Sequence, residues 1–172
     1  MNTQRRIVWQ SMLLAAVAPG VWAQNPPPWP SKPIRIIAGG AASVTDIRAR
    51  WIAPRLAQAL GQPVVVENVP AAGGTVAAAE TVRSAPDGHT VLVYHQGIAA
   101  INPHLYAKPG YDPLLDLVGI TRFGHGAQLL TVPAALAVRS VADLVALARE
   151  KPGALNFGSP GNGTPPHLAS EM

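Results

Sequence analysis

Hydrophobic positions along this chain alternate between a strand-like and a helix-like period. Ile34-Arg35-Ile36-Ile37 is β-branched apart from one arginine and predicts a buried strand over Pro33–Ile37. From Thr45 to Leu60 the apolar positions Ile52, Leu56 and Leu60 fall at i, i+4 and i+8, with Trp51 beside them and Arg48 and Arg55 away from the stripe. That spacing predicts a helix, ended by Gly61 as a left-handed cap. Pro54 sits inside it and is expected to kink it or cost about 3 kcal/mol. Pro63 to Asn68 is an unbroken apolar run until Glu67, as expected of a strand covered on both faces. A second helix follows from about Thr75 to Ser84, then a Pro86-Asp87-Gly88 turn and a third strand, Thr90–Tyr94. Strand, helix, strand, helix, strand implies an α/β fold with a parallel, doubly wound sheet.

Beyond Tyr94 the pattern changes. A short helix is expected over Ile98–Ala107, then a turn-rich crossover, Lys108 to Pro113. Leu117–Thr121, Gln128–Val132 and Leu155–Gly158 read as strands of a second layer. Ser140-Val141-Ala142-Asp143 opens a helix as a capping box, with Val141, Leu144, Val145 and Ala148 on one face and Lys151-Pro152-Gly153 as its stop. Thr164 is expected to cap a last helix with Pro165 at its first position. Only seven residues follow Pro165, and the second layer has few strands, so the sequence reads as the front part of a longer two-lobed protein.

Composition fits a compact globular chain: 48% hydrophobic, 13% charged and 5% aromatic. The lack of cysteine excludes disulfides, thiolate metal sites and a cysteine nucleophile. Residues 1–23 read as an export signal, with Arg5 and Arg6 ahead of the apolar run Met12–Ala18 and Val21-Trp22-Ala23 at the cleavage site. The apolar run is too short to span a bilayer, and Arg5-Arg6 also permits twin-arginine export. Without that signal the net charge falls from +4 to +2. No cationic cluster interleaved with aromatics remains, which argues against nucleic acid. Residues 24–33 form a proline-rich lead-in.

Candidate chemistry lies in side-chain-poor loops that feed helices. Gly39 and Gly40 follow the first strand, and Ser43 with Asp46 has N-cap and N3 spacing. Backbone N–H groups at such a helix start suit an anion. Ser159, Gly161, Asn162, Gly163, Thr164 and His167 form a comparable loop and helix start. The two starts together suit the two ends of a dicarboxylate; from loop chemistry alone, the competing reading of each is an ordinary βα turn. Asp46 either completes the Ser43 cap or holds a water toward the ligand. Asn162 and Thr164 are stronger ligand candidates than His167 or His95, and Arg35 is expected to face solvent or an ion pair.

Several segments, in order, resemble the periplasmic receptors of tripartite tricarboxylate transporters, the Bug receptors. They are the Ile34–Asp46 strand and loop, Leu60–Asn68, Ala85–Gly88, Ile101–Tyr106 and Gly161–Leu168. The resemblance runs from about Lys32 to the last residue. It implies a periplasmic-binding-protein-like fold, with lobe 1 at residues 34–112 and the truncated start of lobe 2 at 113–172. It also implies a non-enzymatic, monomeric, periplasmic receptor that closes on a small carboxylate and delivers it to membrane permease subunits, with no cofactor. Gln96 and Gly97 stand where the family usually has hydroxyl-bearing or glycine residues, and are placed at the ligand on that basis. The first loop is shorter than the family's usual proline-containing one. Binding by the 172-residue chain alone is expected to be weak or absent.

The alternative is an α/β enzyme fragment with a nucleotide or phosphate site on the first glycine loop. Gly39-Gly40-Ala41-Ala42-Ser43 is not G-x-G-x-x-G, and no Walker lysine follows any loop. The five histidines lack i, i+4 pairing, which leaves no expected metal site. Ser159 lacks the setting of a nucleophile elbow, and no catalytic residue is assigned.

Overall fold

The computed structural model describes residues 28–172, so the expected export signal lies outside the described residues. Strand β1 (Ile34–Ala38) is central in a three-stranded sheet of order β2-β1-β3. Strands β2 (Val64–Asn68) and β3 (Thr90–Leu92) flank it in parallel, with Ile34 opposite Val64 and Arg35 opposite Thr90. Helix α1 (Val44–Leu60) joins β1 to β2, and α2 (Thr75–Arg83) joins β2 to β3. The chain thus winds first one way and then the other from β1. That reversal puts the two helices on opposite faces of the sheet, as expected of a doubly wound layer.

Alternation along β1 divides the core. Ile36 and Ala38 pack with Ala49 and Ala53 of α1 and with Val93, supported by Ile52, Leu56, Val64 and Val66. On the α2 side, Ala78 and Ala79 pack with Ile98 and Tyr111, joined by Val82, Leu92 and Leu117. The buried spine of α1 is therefore Thr45, Ala49 and Ala53, with Ile52 and Leu56 only flanking it. Alanine allows α1 to lie close on the sheet, so the larger side chains of the expected stripe wedge in from its edge. Trp51 lies outside, with the Arg55 guanidinium 4.2 Å above its ring.

Pro54 does not break α1. Its ring is exposed and clashes with nothing in the core, and in the next position Arg55 Nη1 donates to the Trp51 carbonyl at 2.7 Å. Gly61 ends the helix with φ 67° and an N–H bond to the Ala57 carbonyl. Arg35, on the α2 side, grips Glu67 through Nε and Nη2 at 2.8 and 2.6 Å and reaches Glu80 at 3.1 Å. This ion pair ties β1 to β2 and α2. The lead-in is pinned to the turn before β3: Lys32 Nζ meets Asp87 at 2.8 Å, and the Ser31 N–H donates to His89 at 3.2 Å.

Several expectations are corrected. β2 is an edge strand with Val65 half exposed, so its apolar run is not covered on both faces. β3 stops at Leu92, although the Val93 N–H still reaches the Ile37 carbonyl at 2.9 Å. The expected Ile98–Ala107 helix is a π-turn at Gly97–Ile101 followed by the short α3 (Asn102–Leu105). Leu117–Thr121, Gln128–Val132 and Leu155–Gly158 form no strands, and Val118 and Leu129 are 92% and 85% exposed. A strand needs a neighbour for its N–H and C=O groups, and no described segment pairs with these. Helix α4 (Val141–Glu150) forms where expected, but Leu144 and Leu147 are only half-buried, and Val141 and Val145 are exposed. Helix α5 (Pro165–Glu171) closes the described chain.

Candidate functional site

The loop from β1 to α1 is held by its own side chains. Ser43 caps α1, its Oγ accepting the Asp46 N–H at 3.2 Å, and Thr45 Oγ1 accepts the Gly39 N–H at 3.1 Å. The Asp46 carboxylate reaches one residue past the cap it was expected to complete and accepts the Ala42 N–H at 2.9 Å. That bond secures Ala42 in a left-handed conformation (φ 61°), which alanine disfavours. The other Asp46 oxygen accepts from Arg50 Nε at 2.9 Å and Asn68 Nδ2 at 2.8 Å. Asn68 Nδ2 also donates to the Gly39 carbonyl at 2.9 Å, which fastens the loop to the end of β2. These bonds, the one from Asn68 foremost, hold the buried Asp46 carboxyl below the usual carboxylate range.

The donors left over define what this loop can bind. The first N–H groups of a helix have no partner within it, and those of Val44 and Thr45 find none among the described residues. The Gly40 and Ala41 N–H groups likewise have none there. Gly39 and Gly40 put no side chain over them. The result is a cluster of amide donors at the positive end of α1, where β1 ends, a geometry that favours an anion.

The exit from β3 lies beside this loop because β3 pairs with β1. Gln96 is exposed there, whereas Gly97 is buried. Gly97 donates its N–H to His95 Nδ1 at 3.1 Å, and burial pushes the His95 imidazole below its usual pKa. Asn102, fully buried, donates through Nδ2 to the Gly73 carbonyl at 3.2 Å and to Thr75 Oγ1 at 2.9 Å. Its Oδ1 has no hydrogen-bond partner among the described residues. The Tyr111 hydroxyl donates to the Ile98 carbonyl at 2.7 Å and braces the π-turn from below.

The third glycine loop comes down on this second cluster. A Cβ at Gly73 would strike the Asn162 carbonyl, one at Gly97 the Gly163 carbonyl, and one at Gly163 the Asn102 Oδ1. The Tyr106 hydroxyl donates to the Asn162 carbonyl at 3.3 Å. Of the predicted site residues, Gly97 therefore meets Gly163, and Gly161, Asn162, Gly163 and Thr164 stay together on one loop. Ser159 folds back to accept the Gly161 N–H at 3.4 Å. No hydrogen bond or ion pair among the described residues joins Gly39, Gly40, Ser43 or Asp46 to this loop.

The start of α5 differs from expectation. Thr164 occupies the cap position, but its hydroxyl donates backward to the Gly161 carbonyl at 2.6 Å and caps nothing in the helix. Pro165 and Pro166 have no N–H, which leaves the His167 amide as the sole donor of the first three helical residues. The His167 imidazole lies 3.7 Å from Glu171. Two helix starts equally rich in donors are thus not present: α1 supplies amides, whereas α5 offers mainly side chains.

Asn68, Asn102, Tyr106 and Gly73 shape these loops and were not picked out as site residues from sequence. An asparagine ending the valine run of β2, and one directly before Pro103, were the available signals. Among the described residues no group of three or more His, Asp or Glu is placed to hold a metal.

Comparison with known proteins places the chain in a family. Among curated proteins the chain is 33% identical to a UPF0065 protein of Bordetella pertussis, covering 98% of this chain and 50% of that one. It is 34% identical to BugT of the same organism, over 84% of this chain and 45% of that one. The chain thus spans about half the length of these curated relatives. Among solved structures, R. palustris Rpa4515 with adipate aligns at a TM-score of 0.76 and 34% identity, over 83% of this chain and 48% of that one. A second, described as a periplasmic transporter, aligns at 0.75 and 36% identity with the same coverage. These likenesses bear out the periplasmic-binding-protein-like α/β fold. The profile of the tripartite tricarboxylate transporter family receptors matches residues 48–172, and the chain belongs to that family.

Proposed function

We propose that this chain is the ligand-capturing part of a periplasmic solute receptor that takes a small carboxylate between two lobes. The observation that carries the proposal is the set of N–H groups at Gly40, Ala41, Val44 and Thr45 that have no partner among the described residues, gathered where β1 meets α1. Carboxylate oxygens suit such donors, and the α1 dipole adds to their attraction. The likeness to a relative solved with adipate supports a dicarboxylate. Asp46 is saturated by Ala42, Arg50 and Asn68, so its role is to shape the loop while the amides face the ligand. A bare carboxylate there would repel an anion; one already neutralised by its neighbours does so less.

In this reading residues 34–112 belong to lobe 1 and residues 113–172 begin lobe 2, which brings Gln96, Gly97, Asn162, Thr164 and His167 toward the same gap. The receptor acts as a monomer, carries out no chemistry on its ligand and hands it to membrane permease subunits of a tripartite transporter. Export through the signal at residues 1–23 places it in the periplasm. Proton–nitrogen NMR of the mature chain tests the proposal at any affinity down to millimolar. Adipate is expected to shift the Gly40, Ala41, Val44 and Thr45 amides in a saturable way, with ATP leaving them unmoved. Saturation by ATP with no response to adipate, succinate or citrate would overturn it.

A further inference from the structure

Asn102 and three glycines form a contact that the ligand loop does not explain. Gly73, Gly97 and Gly163 lie on three separate segments, and a Cβ on any one would collide with an atom of the opposing segment. Two of those obstacles are main-chain carbonyls, of Asn162 and Gly163, and the third is Asn102 Oδ1. Main chain therefore lies on main chain along the seam, with Gly163 buried although its neighbour Asn162 is exposed. Asn102 sits beneath, its amide nitrogen engaged by Gly73 and Thr75 and its oxygen aimed at Gly163 without a hydrogen-bond donor.

We propose that this seam is the catch on which the receptor closes, with Asn102 as the positioning residue that sets how firmly the 161–164 loop seats. The inference rests on the two-lobed reading above. Close backbone approach gives tight packing only while all three glycines lack side chains. The unpaired Asn102 oxygen opposes the seating, because it loses its water when the loop covers it and regains it when the loop lifts. Opposing contributions of this kind leave the catch reversible, as a receptor that must release its cargo requires. Tyr106 adds one donor at the rim, to the Asn162 carbonyl. Asn102, Gly73 and Tyr106 need not touch the ligand to change its affinity.

The chain has no cysteine, so a spin-label pair at Gln58→Cys and Ala169→Cys, both exposed, reports the seating directly. Without ligand, the parent pair is expected to populate mainly a short distance with a minor longer one, and Gly73→Ala mainly the longer one. Gly73 has a positive φ of 59°, and alanine there is also strained. Tyr106→Phe, which leaves the backbone undisturbed, therefore serves as the second variant and is expected to broaden the distribution toward the same longer distance. Adipate is expected to restore the short distance in Tyr106→Phe with affinity reduced at least threefold. Distances unchanged from the parent in both variants would overturn the catch. If the variants open the seam and adipate moves nothing in any of them, the catch stands and the carboxylate reading fails.

Discussion

Asn68 at the end of β2 donates to Asp46 in the first turn of α1 at 2.8 Å, and through the same nitrogen to the Gly39 carbonyl at 2.9 Å. One side-chain amide therefore fixes the two ends of the loop that presents the amide donors. The loop's shape follows from the register of β2 on β1, since Asn68 lies opposite Ala38. Asn68→Ala is expected to leave the sheet folded and weaken adipate binding at least tenfold, with the Ala42 and Thr45 amide signals broadened. Unchanged affinity in a titration followed by NMR would remove Asn68 from the account.

Acid should weaken the fold in two stages. Burial lowers the folded pKa of His95 below the 6.5 of the free side chain. On acidification the unfolded chain thus takes up this proton first, and stability begins to fall below about pH 6.5. The carboxyls of Asp46, Glu67 and Asp143 are likewise held low, first by Asn68, Arg35 and the Arg139 N–H respectively. Their contribution is complete above the unfolded values near 4 and is lost as pH falls through the lower folded ones. Thermal melts from pH 8 to 3 should show both slopes. His95→Gln should flatten only the first, and Asp46→Asn should shrink only the second.

Enlarging the α1 contact tests the alanine spine. Ala49 is fully buried against Ile36 and Ala38, so Ala49→Leu must push the helix off the sheet. The expected loss is about 1–3 kcal/mol, read by denaturant melts. Trp51→Ala, on the exposed side, should cost less than about 1 kcal/mol. A larger loss at Trp51 than at Ala49 would contradict the packing described.

Arg35 grips two carboxylates, but all three side chains are more than a third exposed. Solvent screening limits such a network, and Arg35→Met should cost about 1 kcal/mol. A double-mutant cycle with Glu67→Gln measures the coupling, and salt should reduce it.

The sequence and the structure agree most closely where a local rule acts alone. Gly61 ends α1, Ser43 and Ser140 cap their helices, and β1 and β2 begin within a residue of their apolar runs. They diverge where the outcome depends on a partner. Gln128–Val132 has a strand's composition but no neighbour among the described residues, and the Ile52–Leu60 stripe lost its place to alanines because closeness to the sheet, not apolar bulk, decided the contact face. Capping boxes at Asp46 and Asp143 were legible, yet both carboxylates bond one residue earlier, to Ala42 and Arg139. Thr164 had the right position and the wrong bond, because its hydroxyl found the Gly161 carbonyl first. Asn102 is marked only by its place before Pro103, and nothing near it in sequence foretells that Gly73, Thr75 and Gly163 converge there.

Because β1 lies in the middle of the sheet, its neighbours arrive from well down the chain, Val64 on one side and Thr90 on the other. Contacts of such separation form slowly. The loop amides after β1 therefore take their final shape only once β2 has brought Asn68 back beside Ala38. An injury that loosens this return should cost ligand capture before it melts the fold.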